Sequence, residues 1–72
     1  MLSFTIKDQK TIQVDCDDEG LRSLMEALAR VREVEVGHVH LRADSAGGNI
    51  LNDRSPWGDD AISEVVVTLG GL

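Results

Sequence analysis

The sequence predicts an α+β domain with element order β-β-α-β-(β)-β: one mainly antiparallel sheet with one helix packed on one face. Three observations lead there. Leu21, Leu24, Met25, Leu28 and Val31 recur at the spacing of a helix with a single apolar stripe. The segments around them alternate apolar and polar residues, the period of half-buried strands. The chain has only 72 residues, enough for a single domain, 1–72, and one shared core. A lone amphipathic helix cannot bury its stripe, so the strands must supply a sheet to cover it.

The first strand is read from Leu2, Phe4 and Ile6, which alternate with Ser3, Thr5 and Lys7. Ile12, Val14 and Cys16, alternating with Thr11, Gln13 and Asp15, give the second. Their register follows from burial. A two-residue loop at Asp8-Gln9 would pair Ile6 with Thr11 and split the apolar rows between two faces. A three-residue loop, Asp8-Gln9-Lys10, pairs Ile6 with Ile12, Phe4 with Val14 and Leu2 with Cys16, placing all six on one core face, and is preferred. Cys16 is then a small buried hydrophobe. Its acidic neighbours Asp15, Asp17 and Asp18 disfavour a thiolate nucleophile.

Asp17 or Asp18 can cap the helix, and Glu19 suits its positive end. The helix is expected to fade through Arg32-Glu33, with Val34 and Val36 marking fraying and Gly37 closing the connection. With the stripe buried, Leu28→Ala should cost about 2–5 kcal/mol. In the next strand Val39, Leu41 and Ala43 point to the helix, and His38, His40 and Arg42 point away. Gly47-Gly48 reads as a turn. Asn49–Asn52 reads as a short strand returning along His38–Ala43, and Asp53–Asp60 as a true loop. Within that loop, packing of Trp57 over the edge of the core is preferred to an exposed anchor. Ser63–Leu69 forms the last strand, with Val65, Val67 and Leu69 inward and Glu64, Val66 and Thr68 outward. Gly70-Gly71-Leu72 is a tail. The sheet's open face is then polar: Ser3, Thr5, Lys7, Thr11, Gln13, the two His, Arg42, Glu64, Val66 and Thr68.

Charge narrows the function classes. Seven basic and 13 acidic residues give a net charge of −6. Such a surface repels phosphate backbones, so nucleic acid is not expected as a partner, whereas a basic protein would be attracted. No leader-like segment and no run of about 18 apolar residues occurs, so no membrane partner is expected and a cytoplasmic protein is. His38 and His40 share a strand face, but spacing fixes no third or fourth ligand, so neither a metal nor another cofactor is expected. No nucleophile–base pair or carboxylate pair converges, and an enzyme is not expected. The best contact candidates are Asp59, Asp60 and Glu64, beside the loop carrying Trp57, with His38 and His40 as second choice.

The helix LRSLMEALARV, the run Gly37-His38-Val39-His40-Leu41, Gly47-Gly48 with Leu51, and a closing apolar strand together resemble the immunity protein 32 family over roughly Asp17 to Leu69. The His-x-His-Leu strand is the most specific piece. Where the family commonly carries a Trp before the glycines, this chain has Ala46. The resemblance implies a non-catalytic bacterial protein, encoded beside a polymorphic toxin, that binds and neutralises it. Two other classes remain. The hairpin–helix–strand order with Gly70-Gly71 is similar to ubiquitin-like β-grasp carriers, though Leu72 follows the pair. A plain dimerisation module, and hence a homodimer, is the third reading.

Overall fold

The computed structural model describes residues 1–33 and 37–70. The chain forms β1 (Leu2–Asp8), β2 (Thr11–Cys16), helix α1 (Asp18–Arg30), β3 (His38–Arg42) and β4 (Glu64–Thr68). A one-turn 3-10 helix covers Asp44–Ala46. The class is the expected α+β, with one long helix. The expected single sheet is instead two antiparallel pairs, β1-β2 and β3-β4.

The β1-β2 register is the one burial selects: Leu2 faces Cys16, Phe4 faces Val14 and Ile6 faces Ile12. It is reached by a different turn. Lys7 is the extra residue of a bulge, Asp8 pairs with Thr11, and only Gln9-Lys10 connect the strands. The Asp8 carboxylate accepts from the Lys10 N–H at 2.8 Å and closes the turn. No residue there needs a positive φ, which explains the absence of Gly or Asn.

Asp17 is the N-cap. Its Oδ1 accepts from the Gly20 N–H at 2.8 Å and lies 2.6 Å from the Met1 ammonium. Those groups hold its carboxyl below the usual range, the ammonium first. The buried face of α1 is carried by Gly20, Ala27 and, at its C-cap, Val31, with Leu24 half-buried. Leu21, Met25 and Leu28, expected in the core, are exposed, Leu28 by 46%. Small residues explain the rotation. A Cβ on Gly20 would lie 1.7 Å from the Met1 carbonyl oxygen, so only glycine lets the helix approach β1 this closely. The helix turns its small side to the sheet and leaves its large side chains outside.

Residues 52 and 62 flank the other edge of β1. Asn52 exchanges two hydrogen bonds with Leu2, its N–H donating to the Leu2 carbonyl and its Oδ1 accepting from the Leu2 N–H. The Ile62 N–H donates to the Phe4 carbonyl at 2.7 Å. With chain on both edges, the Leu2–Thr5 end of β1 is an interior strand, and both of its faces are covered. Ser3 and Thr5, expected outside, are buried, and neither hydroxyl has a hydrogen-bond partner among the described residues. Ile6 on β1 and Ile12, Val14 and Cys16 on β2, expected inside, are exposed. Ile6 and Ile12 lie toward the hairpin tip, whereas Val14 and Cys16 lie opposite the covered Phe4 and Leu2, so the cover that reaches β1 does not extend across to β2.

The core gathers Leu2, Ala27, Leu41, Ala43 and Leu51, with Phe4, Leu24, Ile50, Val65 and Val67 packed against it. In β3-β4 the pairs are Val39–Val67 and Leu41–Val65 inward, and His38–Thr68, His40–Val66 and Arg42–Glu64 outward, as the alternation predicts. Leu69, placed inward from sequence, lies beyond β4 and is exposed. The short strand expected at Asn49–Asn52 shrinks to one parallel bridge, Ala43 with Leu51. Gly47 turns the chain with φ +86°, and a Cβ on Gly48 would sit 2.5 Å from the Arg42 Cβ. The chain thus doubles back too tightly to run along β3. No helix among the described residues is long and apolar enough to cross a membrane. The expected fraying at Val34 and Val36, and Gly71-Leu72 of the tail, lie outside the described residues.

Candidate partner-binding surface

Two features stand out from the folded body: the loop that carries Trp57 and the outer face of β3-β4. The loop is built around Ser55. Its side chain is buried, and its Oγ accepts from the N–H groups of Trp57 (3.2 Å) and Asp59 (3.1 Å). Its carbonyl accepts from the Gly58 N–H at 3.0 Å, closing a β-turn over Ser55–Gly58. Pro56 occupies the position where a fixed φ is favoured, and Gly58 follows with φ +89°. Arg54 braces the turn, donating to the Gly58 carbonyl at 3.0 Å and standing 3.5 Å from the Asp60 carboxylate. The backbone is ordered by its own hydrogen bonds, yet the indole at its apex is 70% exposed. The preferred sequence reading, packing over the core edge, is corrected here. Ser55 turns the loop back on itself and thereby presents the ring outward.

The second feature follows from strand register. His40, Arg42 and Glu64 project from one face. Glu64 Oε2 accepts from Arg42 Nε and lies 3.1 Å from His40 Nδ1. The guanidinium first, and then the imidazole, hold the Glu64 carboxyl below its ordinary 4.5. The His38 and His40 rings meet edge to face with centroids 5.2 Å apart. Val66, opposite His40, is exposed. The face is therefore a ridge, with a charged triad at one end, an apolar side chain in the middle, and His38 beside Thr68 at the other end.

The predicted contact residues thus separate by partner. Asp60 is drawn to Arg54, while Glu64 is drawn to Arg42 and His40, joining the first and second choices in one network. The residues missed from sequence are Arg54, Ser55 and Arg42, which position the others. A Ser directly before Pro in a turn was the available signal for Ser55. Among the described residues no group of three or more His, Cys, Asp or Glu side chains is placed to hold a metal ion.

The triad makes a pH prediction. Because the folded carboxyl is depressed, the contribution of Glu64 to stability is present above 4.5 and is lost as pH falls through the lowered value. An NMR titration should find the Glu64 midpoint below that of an ordinary glutamate, and Arg42→Gln should raise it. A midpoint that Arg42→Gln leaves in place would remove the guanidinium as the cause.

Comparison of the chain with protein-family models, curated proteins and solved structures gave no match.

Proposed function

We propose that this protein is a small acidic immunity protein that acts in the bacterial cytoplasm by binding and neutralising a cognate toxin. The observation that carries the reading is Trp57. A tryptophan held 70% exposed on a hydrogen-bonded turn offers a large apolar contact whose backbone is already ordered, so little entropy is lost on docking. Asp59 and Asp60 beside it, and the overall −6 charge, favour a basic partner. The chemistry required is stoichiometric occlusion rather than turnover, in keeping with the sequence reading that no catalytic set converges.

The test is co-expression with the product of the toxin gene adjacent to this one, followed by binding measurements. Protection of cells and a defined complex are expected. Trp57→Ala should speed dissociation by tenfold or more, at about 2 kcal/mol for an anchor residue, with the melting temperature unchanged because the ring is exposed. Asp59→Asn with Asp60→Asn should slow association and flatten its salt dependence. Absence of both protection and complex would sink the proposal. A ubiquitin-like carrier is the second reading, supported by the β-β-α-β-β order and the Ile62–Phe4 bond that ties the segment just before β4 to β1. It requires a conjugate formed through a free diglycine terminus.

A further inference from the structure

We propose that a second copy of this chain docks on the outer edge of β2, pairing β2 antiparallel with itself about a two-fold axis centred on Val14. This goes beyond the toxin-binding reading and does not rest on it.

Three observations converge on that edge. First, β2 is bonded in a sheet only to β1, so among the described residues its other edge offers unpaired N–H and C=O groups. Edges of this kind are usually blunted by a charge, a proline or a bulge within the strand. Thr11–Cys16 contains no lysine, no arginine and no proline, its one charged side chain, Asp15, accepts from Gln13 of the same strand, and the bulge of this hairpin lies on β1.

Second, one face of the strand is apolar and uncovered. Ile12 is 59% and Val14 43% exposed, and Cys16 is exposed as well. A two-fold axis at Val14 places Val14 opposite Val14 of the second copy and Ile12 opposite Cys16. The uncovered row continues across the junction, next to Ile6 and Phe4 on β1.

Third, the polar side and the ends of the strand are self-complementary. In the same register Gln13 lies opposite Asp15 of the second copy. The Gln13 amide already donates to its own Asp15 at 3.0 and 3.1 Å, and it gains a second carboxylate acceptor of the same kind. The two lysines of the chain, Lys7 and Lys10, sit at the hairpin tip that precedes β2, whereas Asp17, Asp18 and Glu19 follow its other end. Antiparallel self-pairing brings the cationic end of each copy to the acidic end of the other. Among registers that keep the apolar row on one face, moving the axis to Asp15 would set two carboxylates face to face and moving it to Gln13 would remove both Gln13–Asp15 pairs, so the polar side favours the axis at Val14.

The interface is small, so a reversible monomer–dimer equilibrium is expected rather than a permanent dimer. Sedimentation equilibrium on the full chain should show mass rising with concentration. Val14→Lys places like charges directly opposite one another and should weaken the dimer by at least about tenfold. Lys10→Glu should weaken it too, and Lys10→Glu combined with Asp18→Lys should restore it. With Cys16→Ser in the background, Val14→Cys should form an intermolecular disulfide on mild oxidation. If Val14→Lys loses its circular-dichroism signal, the charge-swap and disulfide arms decide. A chain that stays monomeric up to millimolar concentration overturns the proposal, as does a dimer that neither the Val14→Lys nor the Lys10→Glu substitution weakens and Val14→Cys does not cross-link.

Discussion

Leu41→Ala is expected to cost about 2–5 kcal/mol, most of the stability of a 72-residue domain. Leu41 is fully buried in the cluster that joins α1, β1 and β3, and truncating it leaves a cavity among Leu2, Ala27 and Ala43. Leu28→Ala is expected to cost under about 1 kcal/mol, because nearly half of that side chain already meets water. The pair is diagnostic because the sequence alone ranks Leu28 as a core residue of the helix stripe. Urea melts of the two variants, read at constant m-value, check the ranking. A larger loss at Leu28 than at Leu41 would mean that α1 packs with its large side chains inward.

Gly20→Ala is expected to destabilise by at least about 2 kcal/mol, although helix propensity alone would favour Ala by about 1 kcal/mol. The two effects have opposite signs, and the geometry decides between them. The new methyl would lie 1.7 Å from the Met1 carbonyl oxygen and 2.5 Å from its carbon. Both are backbone atoms of the residue that leads into β1, beside Leu2 in the core, so neither can swing aside as a flexible side chain would. The first turn of α1 must lift, and the Asp17 cap, whose Oδ1 bonds the Gly20 N–H, lifts with it. Thermal melts measure the outcome directly. A stabilised Gly20→Ala variant would show that the helix does not rest on β1 at this point.

The candidate surface was partly legible before the structure. His38, His40 and Glu64 could be placed on one strand face because side chains alternate along strands, and register then brought His40 and Glu64 to 3.1 Å. Trp57 could be named but not oriented. Its exposure depends on Ser55 accepting two N–H groups from its own loop, and no periodicity records such an arrangement.

Local pattern alone determined the α+β class, the helix, the hairpin register and the inward row of β3, because each rests on a period of 2 or 3.6 residues or on matching two apolar rows. The position of the helix on the sheet is a different kind of quantity. The apolar arc of α1 is wider than the face it buries, and the choice within that arc fell to the Gly20 contact with Met1 rather than to the largest side chains. Likewise, Ser3 and Thr5 read as solvent-facing by alternation but are buried, in the stretch of β1 that residues 52 and 62, distant in sequence, bond along its second edge. Alternation specifies which residues share a face, and only the long-range contacts of the folded chain decide which face is covered.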